Sequence, residues 1–90
     1  MTVTVTPETT RNEHSVIFQL NKTLRPPGTG LSFPNAPSAQ NHELARALFQ
    51  IKGVASIWII GSEVQVTKSE GVGWGAIKGK IVETIRQVES

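Results

Sequence analysis

Two histidines, His14 and His42, are the only imidazoles in a chain that contains no cysteine, and all seven of its acidic residues are glutamates. A metal site needs three or four converging donors, and a catalytic triad needs an acid behind its histidine. Neither pattern is spelled here: His42 is expected as a solvent-facing residue in the first turn of a helix, and His14 as the opening of a strand. The glutamates are spread singly, so no carboxylate pair offers itself for general acid–base work. Gly71-Val-Gly-Trp-Gly-Ala76 has the form G-x-G-x-x-A of a dinucleotide fingerprint. That motif follows a strand of a parallel unit, whereas the residues before Gly71 belong to a hairpin, so a flexible approach to a helix is the expected reading. An enzyme is the least supported class.

Composition removes further classes. Without cysteine the chain has no disulfide, thiolate ligand or thiol nucleophile. The formal charge is +2, with basic residues scattered from Arg11 to Arg86 rather than gathered into the stripe that nucleic acid requires. No apolar run approaches the ~20 residues of a membrane-spanning helix, so no membrane partner is expected and the cytoplasm is the expected location.

The elements follow from periodicity. Thr2 to Thr6 alternates threonine and valine as a first strand ended by Pro7, and His14 to Leu20 forms a second, with Val16, Phe18 and Leu20 facing one way and Ile17 the other. Asn21 to Ser38 holds four prolines and reads as a long connection that Leu24, Leu31 and Phe33 pin to the body. A helix then begins with Asn41 as cap, carries Glu43 in its first turn, and stops on Gly53. Its inward stripe is Leu44, Leu48 and Ile51, while Arg46 and Gln50 point out.

Gly61-Ser62 suits a two-residue type II′ turn. Counting outward pairs Ile60 with Glu63, Ile59 with Val64, Trp58 with Gln65 and Ile57 with Val66. Ala55, Ile57, Ile59, Val64 and Val66 therefore share the core face, and Trp58 and Ile60 fall on the other. Trp74, Ile77, Ile81, Ile85 and Val88 form the stripe of a second helix, in which close packing on the sheet is the expected reason for Gly79. The order β-β-α-β-β-α makes an α+β, two-layer sandwich: a four-stranded, largely antiparallel sheet with two helices on one face. Ile17, Trp58 and Ile60 are then an apolar patch on the open face, unless the proline-rich loop covers it.

Phe33-Pro34-Asn35-Ala36, the run Leu44-Ala45-Arg46-Ala47-Leu48-Phe49, Gly53-Val54, and Trp74 with Ile77-Lys78 together resemble the NifU-like (Nfu) N-terminal domain. One departure is Pro7 to Asn12, where relatives often carry a P-N-P-N turn. The resemblance implies one such domain over residues 1–90, standing without the Cys-x-x-Cys domain that holds the family's iron–sulfur cluster, and so with no cofactor of its own. It implies a non-catalytic accessory or protein-interaction role, with a partner among cluster-assembly or recipient proteins. A general peptide-binding adaptor and a small nucleotide-dependent enzyme are the alternatives. The candidate partner surface comprises Ile17, Phe33, Pro34, Asn35, Arg46, Gln50, Trp58, Ile60 and Gln65.

Overall fold

Gly61 has a φ of 56° and no residue other than glycine has a positive φ among those described, which is the combination a type II′ turn demands of Gly61-Ser62. The computed structural model describes residues 3–26 and 29–89. Around that turn the chain forms β1 (Val5–Thr9), β2 (Ser15–Leu20), β3 (Gly30–Phe33), a 3-10 turn (Pro37–Ala39), α1 (Glu43–Phe49), β4 (Val54–Ile60), β5 (Glu63–Lys68) and α2 (Trp74–Glu89). The strands make one antiparallel sheet in the order β1-β2-β5-β4-β3. The β4–β5 register is the one the turn dictates, from Ile60 opposite Glu63 to Ile57 opposite Val66. Beyond it Ala55 is an extra residue between the pairs Ser56–Thr67 and Val54–Lys68, a bulge that leaves it half-buried.

Alternation sorts the strands into two faces. Val16, Phe18, Leu20, Ile57, Ile59, Val64 and Val66 are buried beneath the helices, where they meet Leu44 and Leu48 of α1 and Ile77, Ile81 and Ile85 of α2. The helices touch each other, α1 lying against β4 and α2 against β1. Each has one apolar face, so two helices laid side by side on one sheet face bury both stripes.

The sheet has five strands rather than four. The missing strand lies in the proline-rich connection: Gly30-Leu31-Ser32-Phe33 pairs with Ile60 to Ile57. Leu31 and Phe33 are thus the inward positions of a short edge strand, and four residues between turn-forming stretches are too few to show a period. Pro27 and Gly28 of that connection lie outside the described residues, as does Thr2 of the expected first strand. Nor does Pro7 end β1: it lies mid-strand opposite Phe18. β1 is the outermost strand, where a missing N–H costs no ladder bond on the free side.

His42, not Asn41, caps α1. His42 is extended (φ −120°, ψ 112°) and its Nδ1 accepts the Ala45 amide at 3.2 Å. The 3-10 turn sets this up, because the His42 amide donates to the Ala39 carbonyl at 3.1 Å while Ala39 is buried. At the other end α1 closes through the Gln50 amide on the Ala47 carbonyl at 3.2 Å and the Ile51 amide on the Leu48 carbonyl at 3.0 Å, so Gly53 belongs to the turn into β4 rather than to the helix cap itself. Its φ of 110° still requires glycine, and a Cβ there would stand 2.9 Å from Val72 Cγ1. Gly79, in contrast, is exposed and a Cβ would meet nothing within 4 Å, so close packing is not its reason.

These contrasts set two stability expectations, both read by urea unfolding. Gly53→Ala should lose about 1–2 kcal/mol from the left-handed backbone alone, and more than Gly71→Ala, whose φ of 82° is matched by open space; Gly79→Ala should gain up to ~1 kcal/mol. His42→Ala should lose about 1 kcal/mol with its cap, while Asn41→Ala should change little.

Candidate functional site

The register builds the helix-free face row by row. Across the strands, one row reads Glu8, Ile17, Gln65, Trp58, Ser32, and the next reads Thr6, Gln19, Glu63, Ile60, Gly30. Trp58 is 46% exposed and Ile60 36%, the two large apolar side chains left exposed among the described residues. The indole lies against the edge strand, its Nε1 3.4 Å from where a Cβ on Gly30 would stand. Ile17 and Gln65 are half-buried beside it. Polar pairs fix the margins, with Ser15 and Thr67 hydroxyls 2.9 Å apart and Gln19 Nε2 donating to Ser62 Oγ at 2.6 Å.

The nine candidate residues do not form one surface. Ile17, Trp58, Ile60 and Gln65 share the open face. Phe33 turns the other way: it is 7% exposed and packs its ring on His42, with centroids 5.2 Å apart, so it is a core residue rather than part of a partner surface. Its inward position on β3 is the reason. Pro34 and Asn35 form the exposed turn after it, in which Asn35 Oδ1 accepts the Ser38 amide at 3.1 Å. Arg46 and Gln50 lie on the helix layer in an open groove of about 280 Å³, shared with Ala36, Pro37, Gln40 and Phe49. Arg46 Nη1 reaches the Gln40 carbonyl there at 3.5 Å.

Glu8 and Glu63 were absent from the candidate residues, yet both lie on the open face, opposite Ile17 and Ile60 respectively. Glu63 was legible from the turn; Glu8 was hidden by ending the first strand at Pro7. The histidines are spent on structure. His42 caps α1 and is half-buried rather than solvent-facing, because its ring bridges the cap and Phe33. His14 Nδ1 lies 3.4 Å from Lys68 Nζ, and its Nε2 lies 3.8 Å from Glu13. A smaller cavity of about 120 Å³ lies between Lys22, Leu24, His42 and Glu89, where Lys22 and Glu89 neutralise each other at 3.0 Å. Among the described residues no three His, Cys, Asp or Glu converge as metal ligands.

The helix-backed sheet leaves an aromatic side chain exposed on its open face, and among the described residues no metal-ligand group converges. The family described as "Scaffold protein Nfu/NifU N terminal" matches residues 5–90, and the chain belongs to it. It is 33% identical over 84 residues, 93% of its length, to NifU-like protein 5, mitochondrial, of Arabidopsis thaliana, and spans 30% of that protein. Over 58 residues, 64% of the chain and 20% of the relative, it is 33% identical to a Drosophila erecta protein named NFU1 iron-sulfur cluster scaffold homolog, mitochondrial. The chain thus spans less than a third of these relatives, and their names give a compartment other than the expected cytoplasm. Among solved structures, a NifU-like protein of Saccharomyces cerevisiae superposes with a TM-score of 0.84 at 26% identity, covering 96% of this chain and 77% of that one. Staphylococcus aureus SAV1430 shares the fold, with a TM-score of 0.78 at 17% identity over 91% of this chain and 98% of that one. No helix among the described residues is long and apolar enough to cross a membrane. A cluster calls for thiolate ligands; with no cysteine and no converging donors among the described residues, this chain does not fit one.

The two tryptophans provide the check. Trp74 is half-buried, donates from Nε1 to the Glu13 carbonyl at 2.9 Å and packs near Phe18. Acrylamide should therefore quench Trp58 in the Trp74→Phe variant more strongly than Trp74 in the Trp58→Phe variant.

Proposed function

We propose that the chain acts as a single, non-catalytic accessory domain of iron–sulfur cluster assembly. It engages a protein partner, a cluster carrier or recipient, through the open sheet face, in the cytoplasm or in a mitochondrial compartment such as its relatives' names state for them. The observation that carries this reading is the exposure of Trp58 and Ile60, on β4 beside the β3 edge, on a face that the helices leave free. An exposed aromatic in an apolar patch rimmed by polar groups is the usual make-up of a binding hot spot. Family membership supports the link to clusters, and the lack of thiolates supports a role that acts on a partner's cluster rather than holding one. A general peptide-binding role would use the groove beside Arg46 instead, whose apolar lining comes from Pro37 and Phe49. The nucleotide reading has less support, because Gly71 to Ala76 joins a hairpin strand to α2 and no described strand follows.

The test mixes the chain anaerobically with a cluster-loaded Cys-x-x-Cys domain and an apo recipient. The chain alone should stay free of iron, and its addition should change the transfer rate. Trp58→Ser should abolish that change while the circular dichroism spectrum remains native. Stoichiometric iron on the isolated chain, or an active Trp58→Ser variant, would contradict the reading.

A further inference from the structure

The strand residues of the open face carry charge of one sign on a chain of the opposite net sign. Of the strand residues the register places there, only Glu8 and Glu63 are ionisable, whereas the whole chain is formally +2. Neither carboxylate has an ion-pair or hydrogen-bond partner among the described residues, although Glu63 is half-buried. Each stands directly opposite an apolar member of the patch, Glu8 beside Ile17 and Glu63 beside Ile60. Adjacent strands are about 5 Å apart, so Glu63, one strand from Ile60, acts on anything seated there within the ~8 Å screening length of physiological salt. Glu8, three strands and roughly 14 Å from Trp58, meets an occupant that continues across β5 and β2. The Trp58 indole N–H is likewise without an acceptor among the described residues.

Resting on the partner reading above, we infer that the occupant of this face is a basic amphipathic segment of another protein, an apolar side chain over Trp58 and Ile60 with Lys or Arg reaching Glu63 and Glu8. Nucleic acid and anionic lipid both bring negative charge to two unpaired carboxylates, which disfavours them. A second copy of this chain seated face to face doubles the carboxylates and supplies no strand cation to meet them. A cationic segment pairs both acids, covers the apolar patch and offers backbone carbonyls to the indole.

The experiment is selection of a phage-displayed library of random 15-residue peptides on the immobilised full chain, followed by affinity measurement of the recovered peptides. Recovered sequences should combine aliphatic residues with Lys or Arg. Their affinity should fall about tenfold or more on the Glu8→Lys, Glu63→Lys double variant and decline with added salt. The milder Glu8→Gln, Glu63→Gln variant repeats the comparison if charge reversal disturbs folding, as judged by circular dichroism. Failure to recover peptides, recovery without basic enrichment, or affinity unchanged by either double variant overturns the inference. If cluster transfer still depends on Trp58 while the peptides ignore both acids, the charge assignment fails and the functional reading survives.

Discussion

The two-residue loop at Gly61-Ser62 is the constraint on which the rest of this molecule depends. Side chains alternate with a period of two, so moving β5 by one residue against β4 would bring Gln65 and Glu63 under the helices and expel Val64 and Val66. Gly61 fixes the choice by adopting a left-handed φ at a position where a side chain would be strained. The loop also organises its neighbours. The Leu20 amide donates to the Ser62 carbonyl at 2.9 Å, and the amides of Leu24 and Arg25 converge on the Gly61 carbonyl at 2.8 and 3.1 Å. The end of β2 and the beginning of the long connection are therefore fastened to the same turn, and β2 is held in register with β5 on its other side.

The open face is a consequence of that arrangement rather than an addition to it. Five strands about 4.8 Å apart make a sheet roughly wide enough for two helices of ~10 Å diameter, and α1 and α2 occupy that width on one side. The connection that could have covered the other side is instead used to extend the sheet as β3 and then to build the 3-10 turn that leads into α1. Trp58 and Ile60 of β4 are left to solvent on the uncovered face, and the larger of them is Trp58. The open face and the folding register thus have one origin.

Where the sequence was informative, the physics was local. The hairpin pairs, the stripe of α2 and the division of faces follow from period and turn chemistry, and Ile57, Ile59, Ile77, Ile81 and Ile85 are buried as their spacing requires. In the first helix Leu44 and Leu48 are buried, whereas Ile51 lies past the end of α1 and is half-buried. Non-local causes stayed hidden. β3 is a strand because β4 offers it a partner, and Pro7 is tolerated because β1 has an outer edge. The His42 cap depends on the preceding 3-10 turn, and Phe33 is buried because β3 faces it inward. For the candidate site, Trp58, Ile60 and Gln65 were legible from one turn and Ile17 from strand alternation. The flanking Glu8 needed the position of β1 as well.

The most direct test of this account is a nuclear Overhauser measurement on the isotope-labelled protein, reading which protons lie near the Trp58 ring. The account requires cross-peaks from Trp58 to Gln65 and Ser32, its partners on the neighbouring strands, with none to the methyls of Leu44, Leu48, Ile81 or Ile85. Cross-peaks from the Trp58 ring to those helix methyls would place the indole in the core, and the register, the open face and the function drawn from it would fall together.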